Sequence, residues 1–192
     1  MLNNIVGLLA PAPSLNSYES IQTFTVGSGG QSSISFTLIP ATYKHLQIRI
    51  LAQTNRGTYG IDQMNMRFNS DSGSNYSWHT LVGQGSGTPN ASAASSVSVI
   101  QAGEGSIGTT TGGTFGGAVI DILDYAETSK YKTSRMLSGV DLNGTVGGLG
   151  GWITFSSGNW RSTSAITSIS LGPTVGTLFS QYSSFALYGI KG

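Results

Sequence analysis

The chain has 192 residues and a formal net charge of +1, and only 9% of its residues are charged, against roughly 25% in ordinary globular proteins. It contains no cysteine, which excludes disulfides, thiolate chemistry and zinc-finger spacings, and it has no basic cluster to favour a nucleic-acid partner. With 38% hydrophobic residues and 28 glycines, it is not a disordered chain; it fits a β protein surfaced with Ser, Thr, Asn and Gly.

The N-terminal stretch Ile5-Val6-Gly7-Leu8-Leu9-Ala10 is apolar, but no Lys or Arg precedes Lys44. It makes a poor signal peptide and is too short to span a membrane. The expectation is a docking arm and linker over residues 1–17. Leu2, Ile5, Val6, Leu8 and Leu9 are its contact residues, and Pro11 to Asn16 stiffens the connection. Residues 18–192 then form a single domain.

Tyr18 to Val26 and Gln31 to Ile39 both alternate, separated by Gly27-Ser28-Gly29-Gly30, which predicts a hairpin. Tyr43 to Gln53 follows, with Leu46, Ile48, Ile50 and Ala52 on one parity and His45, Gln47 and Arg49 on the other. Side chains alternate across a strand, so this segment predicts a long half-buried strand. Ile61 to Asn69 alternates in the same way, with Met64, Met66 and Phe68 inward. Tyr76 to Val82 predicts a short strand, and Gly83 to Ser96 a Gly/Ser/Ala loop before a short strand at Val97 to Gln101. Gly103 to Gly117 is a second loose stretch.

Ala118 to Tyr125 is apolar on both parities apart from Asp121 and Asp124, which predicts a central strand buried on both sides. Lys132 to Asn143 is the next strand, with Met136, Val140 and Leu142 on one face, and Gly144 to Gly151 is a glycine-rich loop. Trp152 to Phe155, Ile166 to Leu171 and Gln181 to Ile190 complete the set. No segment sustains a helical period. About ten strands with regular turns predict an all-β, antiparallel two-sheet sandwich or jelly roll.

Chemistry-bearing motifs are few. Gly103-Glu104-Gly105-Ser106-Ile107-Gly108 matches G-x-G-x-x-G, but Thr109 to Gly113 cannot open the helix that a dinucleotide needs. Asn69, Asp71, Gly73 and Asn75 space like a calcium loop, yet Asp71 is the sole carboxylate, so Asx-turn bonding is the simpler account. Asp121 and Asp124 point to opposite faces of a strand, where pairing with Lys or Arg is the ordinary outcome. His45 and His79 are the only histidines, and no nucleophile elbow is present. No catalytic, cofactor or metal residue is therefore assigned. Asn75, Asn90 and Asn143 head glycosylation-type triplets of the kind expected by chance in so Asn/Ser/Thr-rich a chain. Trp78, Trp160 and Tyr59, with Trp152, lie near loops, where aromatic rings either plug a core or stack on sugars.

Several stretches together carry a resemblance: Tyr43-Lys44-His45-Leu46-Gln47-Ile48-Arg49, Phe68-Asn69-Ser70-Asp71, Ile120-Asp121-Ile122-Leu123-Asp124-Tyr125, Lys130-Tyr131-Lys132-Thr133, Val140-Asp141-Leu142-Asn143-Gly144 and Ser183-Ser184-Phe185-Ala186-Leu187-Tyr188-Gly189-Ile190-Lys191. As a set they resemble small virion structural proteins of tailed bacteriophages, especially phages of aquatic bacteria. The resemblance runs over the whole chain. It implies a β-sandwich on the particle surface and supplies no active-site residue.

The resulting expectation is a non-enzymatic capsid decoration (cement) protein. It would bind the major capsid protein as a homotrimer through its arm, without a cofactor, nucleic acid or membrane. A surface so poor in charge also suits a subunit of an assembly better than a lone monomer. The alternative is a tail-fibre or receptor-binding domain whose Trp78, Trp160 and Tyr59 contact a host glycan. A glycan-cleaving enzyme is the third reading and lacks a carboxylate pair.

Overall fold

The computed structural model describes residues 17–57, 60–85, 87–102, 107–108, 113–143 and 150–192. The arm residues Leu2, Ile5, Val6, Leu8 and Leu9, together with Tyr59 and residues 103–106 of the glycine motif, lie outside the described residues. No described residue is helical.

The strands are β1 (Tyr18–Thr25), β2 (Ile34–Phe36), β3 (His45–Ala52), β4 (Ile61–Asp62), β5 (Met64–Phe68), β6 (Tyr76–Gln84) and β7 (Asn90–Val97). After them come β8 (Ile100–Gln101), β9 (Ile107–Gly108), β10 (Gly116–Leu123), β11 (Lys132–Asp141), β12 (Gly151–Trp160), β13 (Ile169–Pro173) and β14 (Ser184–Ile190). They build the expected antiparallel sandwich in unequal layers. One sheet has eight strands in the order β1-β14-β3-β10-β11-β12-β6-β7; the other has four, β2-β13-β5-β8. A two-residue pair, β4 with β9, lies beside them.

The core forms where alternation predicts. Leu46, Ile48, Ile50 and Ala52 of β3, Ile120 and Ile122 of β10, and Phe185 and Leu187 of β14 face Met64, Met66 and Phe68 of β5 and Ile169 and Leu171 of β13. Gly158 and Gly189 sit where the packing leaves no room. A Cβ at Gly158 would lie 2.5 Å from the Ile100 side chain, and one at Gly189 would lie 2.3 Å from the Tyr43 ring.

Three expectations are corrected. The segments around Gly27–Gly30 are not a hairpin: β1 pairs with β14 in the large sheet, and β2 pairs with β13 in the small one. The glycine turn instead crosses between layers, with Gly29 and Gly30 at positive φ. The flanking Val26 and Gln31 amides donate to the carbonyls of Ser183 and Phe179. The second correction is β7, a full strand in a stretch expected to be loop. It pairs with β6 from Ala91↔Leu81 to Ser95↔Ser77, although its Asn, Ala and Ser side chains give no apolar alternation. Third, β10 is central but is buried on one face only; Val119 is 39% exposed.

Candidate functional site

The side of the large sheet that faces away from the small one carries the candidate site. Register fixes its rows. One row runs Leu81 (β6), Phe155 (β12), Leu137 (β11), Val119 (β10), Arg49 (β3) and Ala186 (β14). The adjacent row runs Gly83, Ile153, Gly139, Gly117, Leu51 and Ser184 on the same strands in the same order. The first row is a ridge of four large apolar side chains, Leu81, Phe155, Leu137 and Val119, that runs out into Arg49 and Ala186. The second is a broken furrow: three of its six positions are glycine, while Ile153 and Leu51 rise from it.

Leu81, Phe155, Leu137 and Ile153 are 55–60% exposed, and Leu51 is half exposed. A groove of about 1140 Å³ lies over the part of the face around Leu51, Val119, Leu137 and Ile153, and a separate hollow of about 390 Å³ lies beside Leu81 and Phe155. Monomeric soluble proteins rarely expose contiguous apolar patches larger than a few hundred Å² unless something covers them. Fully burying such a side chain is worth ~1.5–3 kcal/mol. Covering the exposed part of these five and of Val119 yields roughly 5–9 kcal/mol gross, within the range of the ~4–15 kcal/mol that association costs.

A polar rim borders the ridge. The Arg49 guanidinium lies between the Tyr18 and Tyr188 rings, 5.3 and 4.9 Å from their centroids, and its Nε donates to Gln47 Oε1 at 2.9 Å. Gln47 Nε2 donates to Asp121 Oδ1 at 2.9 Å, and Arg135 Nε donates to Asp121 Oδ2 at 3.2 Å. An apolar centre edged by satisfied polar groups is the usual build of a protein–protein contact.

The two carboxylates singled out from the sequence are both held by neighbours. Asp121 belongs to this rim. Asp124, at the end of β10, lies 3.0 Å from Lys44 Nζ and is bonded by Lys130 Nζ, and its backbone amide donates to His45 Nδ1 at 3.0 Å. The lysine hydrogen bonds hold its carboxyl down at about 2, below the usual 3.8. A depressed folded-state pKa contributes stability above the unfolded pKa that is lost as pH falls through the folded one. Asp124→Asn is therefore expected to melt below the wild type at pH 5–7, with the gap closing as pH falls from about 4 towards about 2. A gap that stays constant across that range would show that these ion pairs contribute nothing.

The aromatic residues expected at a sugar site are not gathered on this face. Trp160 is 3% exposed and stacks on Tyr76 with centroids 6.3 Å apart. Its Nε1 donates to Asp71 Oδ2 at 2.7 Å, so the assignment of Trp160 to glycan contact is corrected to a core role. Trp78 packs partly buried against the same core, and Trp152 against Ile61, Val140 and Leu142. Asp71 also accepts from the Gly73 amide and from Asn75 Nδ2, so its oxygens are taken by N–H donors in an Asx-type loop. Among the described residues, no group of three or more His, Asp or Glu is placed to hold a metal ion. Ile107–Gly108 of the glycine motif pairs as a strand with Ile61–Asp62.

The ridge was missed in the sequence although a signal existed. Leu51, Val119, Leu137, Ile153 and Phe155 are apolar residues on the parity that should face water. In β10 that pattern is indistinguishable from a strand buried on both sides. No family model matches the chain, and no curated protein or solved structure matches it.

Proposed function

We propose that this chain is a non-enzymatic structural subunit of a tailed-phage particle, a decoration protein that binds the major capsid protein as a homo-oligomer. The observation that supports an assembly role is the outer face: a broad, open, weakly charged sheet surface with an apolar ridge at its centre. The virion placement rests on the sequence resemblance, and the arm with Leu2, Ile5, Val6, Leu8 and Leu9 supplies the contact with the shell. Repetition on a symmetric shell multiplies weak single contacts into stable attachment. The receptor-binding alternative draws no support from Trp160, whose ring is buried.

The test is co-sedimentation with phage heads that lack this protein. The full chain is expected to bind saturably, and a chain without residues 1–12 to remain in the supernatant. Equal binding by the two would remove the arm from the mechanism, and no binding by either would remove the decoration reading.

A further inference from the structure

We infer that the outer face of the large sheet pairs with the same face of a second copy, Leu81, Leu137 and Val119 of each seating over the glycines of the other. This rests on the reading of that face as a contact surface and names its partner. Two features of the geometry carry it.

The first is self-complementarity. A two-fold axis lying in the interface along the rows, midway between ridge and furrow, brings each strand over the same strand of the partner with the rows exchanged. Leu81 then meets Gly83, Leu137 meets Gly139, and Val119 meets Gly117; on each strand the large residue and the glycine are two apart. Phe155 meets Ile153, and the Arg49 stem lies on Leu51. Strands stay aligned between the stacked sheets, as in sandwich cores ~10 Å thick. The six strands from β14 to β6 span ~29 Å at ~4.8 Å spacing, and eight residues run ~27 Å. The face thus offers roughly 780 Å², close to the ~800 Å² per partner of a stable interface.

The second is Gly117. Glycine inside a strand weakens it and often marks close approach of something else. Gly158 and Gly189 are glycine because their own chain crowds them, and a Cβ at Gly139 would meet the Trp152 carbonyl at 2.9 Å. At Gly117 a Cβ would meet nothing within 4 Å among the described residues, and its φ is not positive. No described neighbour within the chain demands the missing side chain. A partner's Val119 seated there does.

Sedimentation velocity on the full chain at about 1–100 µM tests this, with circular dichroism to confirm folding. The wild type is expected at twice the 19.9 kDa chain mass. Gly117→Val fits the single chain and fills the furrow, so it is expected to keep its β spectrum and weaken pairing at least about ten-fold. Leu137→Gln on the ridge should do the same, and it decides the matter if Gly117→Val fails to fold. Leu38→Gln, at a 91% exposed position outside this face, should leave the mass unchanged. A monomeric or trimeric wild type, or pairing unaltered in both face variants, would overturn the proposal. That outcome is separate from head binding, which is read by co-sedimentation.

Discussion

Trp160→Ala is expected to lower the unfolding free energy by about 3–5 kcal/mol, the range for emptying a large aromatic site. The ring fills the corner where β12 ends, 5.7 Å from Phe68 and stacked on Tyr76 with planes 16° apart. Its indole N–H also anchors the Asp71 loop. That bond heads the interactions that hold the Asp71 carboxyl below its usual range. Trp160→Phe separates the two contributions: it keeps most of the packing and loses the donor, for a cost nearer 1–2 kcal/mol. Urea denaturation of the pair checks this. If Trp160→Ala unfolds at the wild-type midpoint, the ring is not structural. Loss of sugar binding in this variant would report unfolding rather than a broken contact.

The second large effect is expected at Asp62. This side chain is fully buried and collects four donors. Oδ2 accepts from Thr54 Oγ1 at 2.8 Å and the Gly176 amide at 2.9 Å; Oδ1 accepts from the Gln63 amide at 2.8 Å and the Val175 amide at 3.2 Å. One carboxylate thus ties β4 to the turn that follows β13. Asp62→Ala leaves the buried Thr54 hydroxyl and three part-buried amides without that acceptor, and each unmet buried group costs up to ~1–3 kcal/mol. A total loss of about 3–5 kcal/mol is expected after the turn relaxes. Asp62→Asn should fall in between, because its amide nitrogen would confront a donor. Amide exchange at Val175 and Gly176 should quicken in both variants; unchanged protection there would mean that the carboxylate does not hold the turn.

The core was legible because one face of each inner strand reads cleanly, as in Leu46-Ile48-Ile50 and Met64-Met66-Phe68. Layer assignment was not, because a four-residue glycine turn serves a hairpin and a crossing between sheets equally well. β7 was hidden by its composition: Ala and Ser side chains pack without announcing a face. Trp160 was hidden by company, since the three positions before it on its parity are Thr154, Ser156 and Gly158, and the next large residue on that face is Trp152, a full strand length away. Asp62 was hidden by distance, because its partners come from the segments around Thr54 and Val175. The outer ridge was visible as apolar residues on the wet parity. Single-chain logic assigns such residues to burial, and only the strand order showed that no layer among the described residues covers them.

The position of β14 has a consequence for biosynthesis. It lies between β1 and β3, so β1 acquires its neighbour only when β14, made after all the other described strands, leaves the ribosome. Until then β3 has one bare flank, and the seats of Phe185 and Leu187 stand empty. Pairing across such sequence separation is slow, and unpaired borders invite wrong partners. Nascent chains stalled before Ser184 are thus the form of this protein most in need of a chaperone.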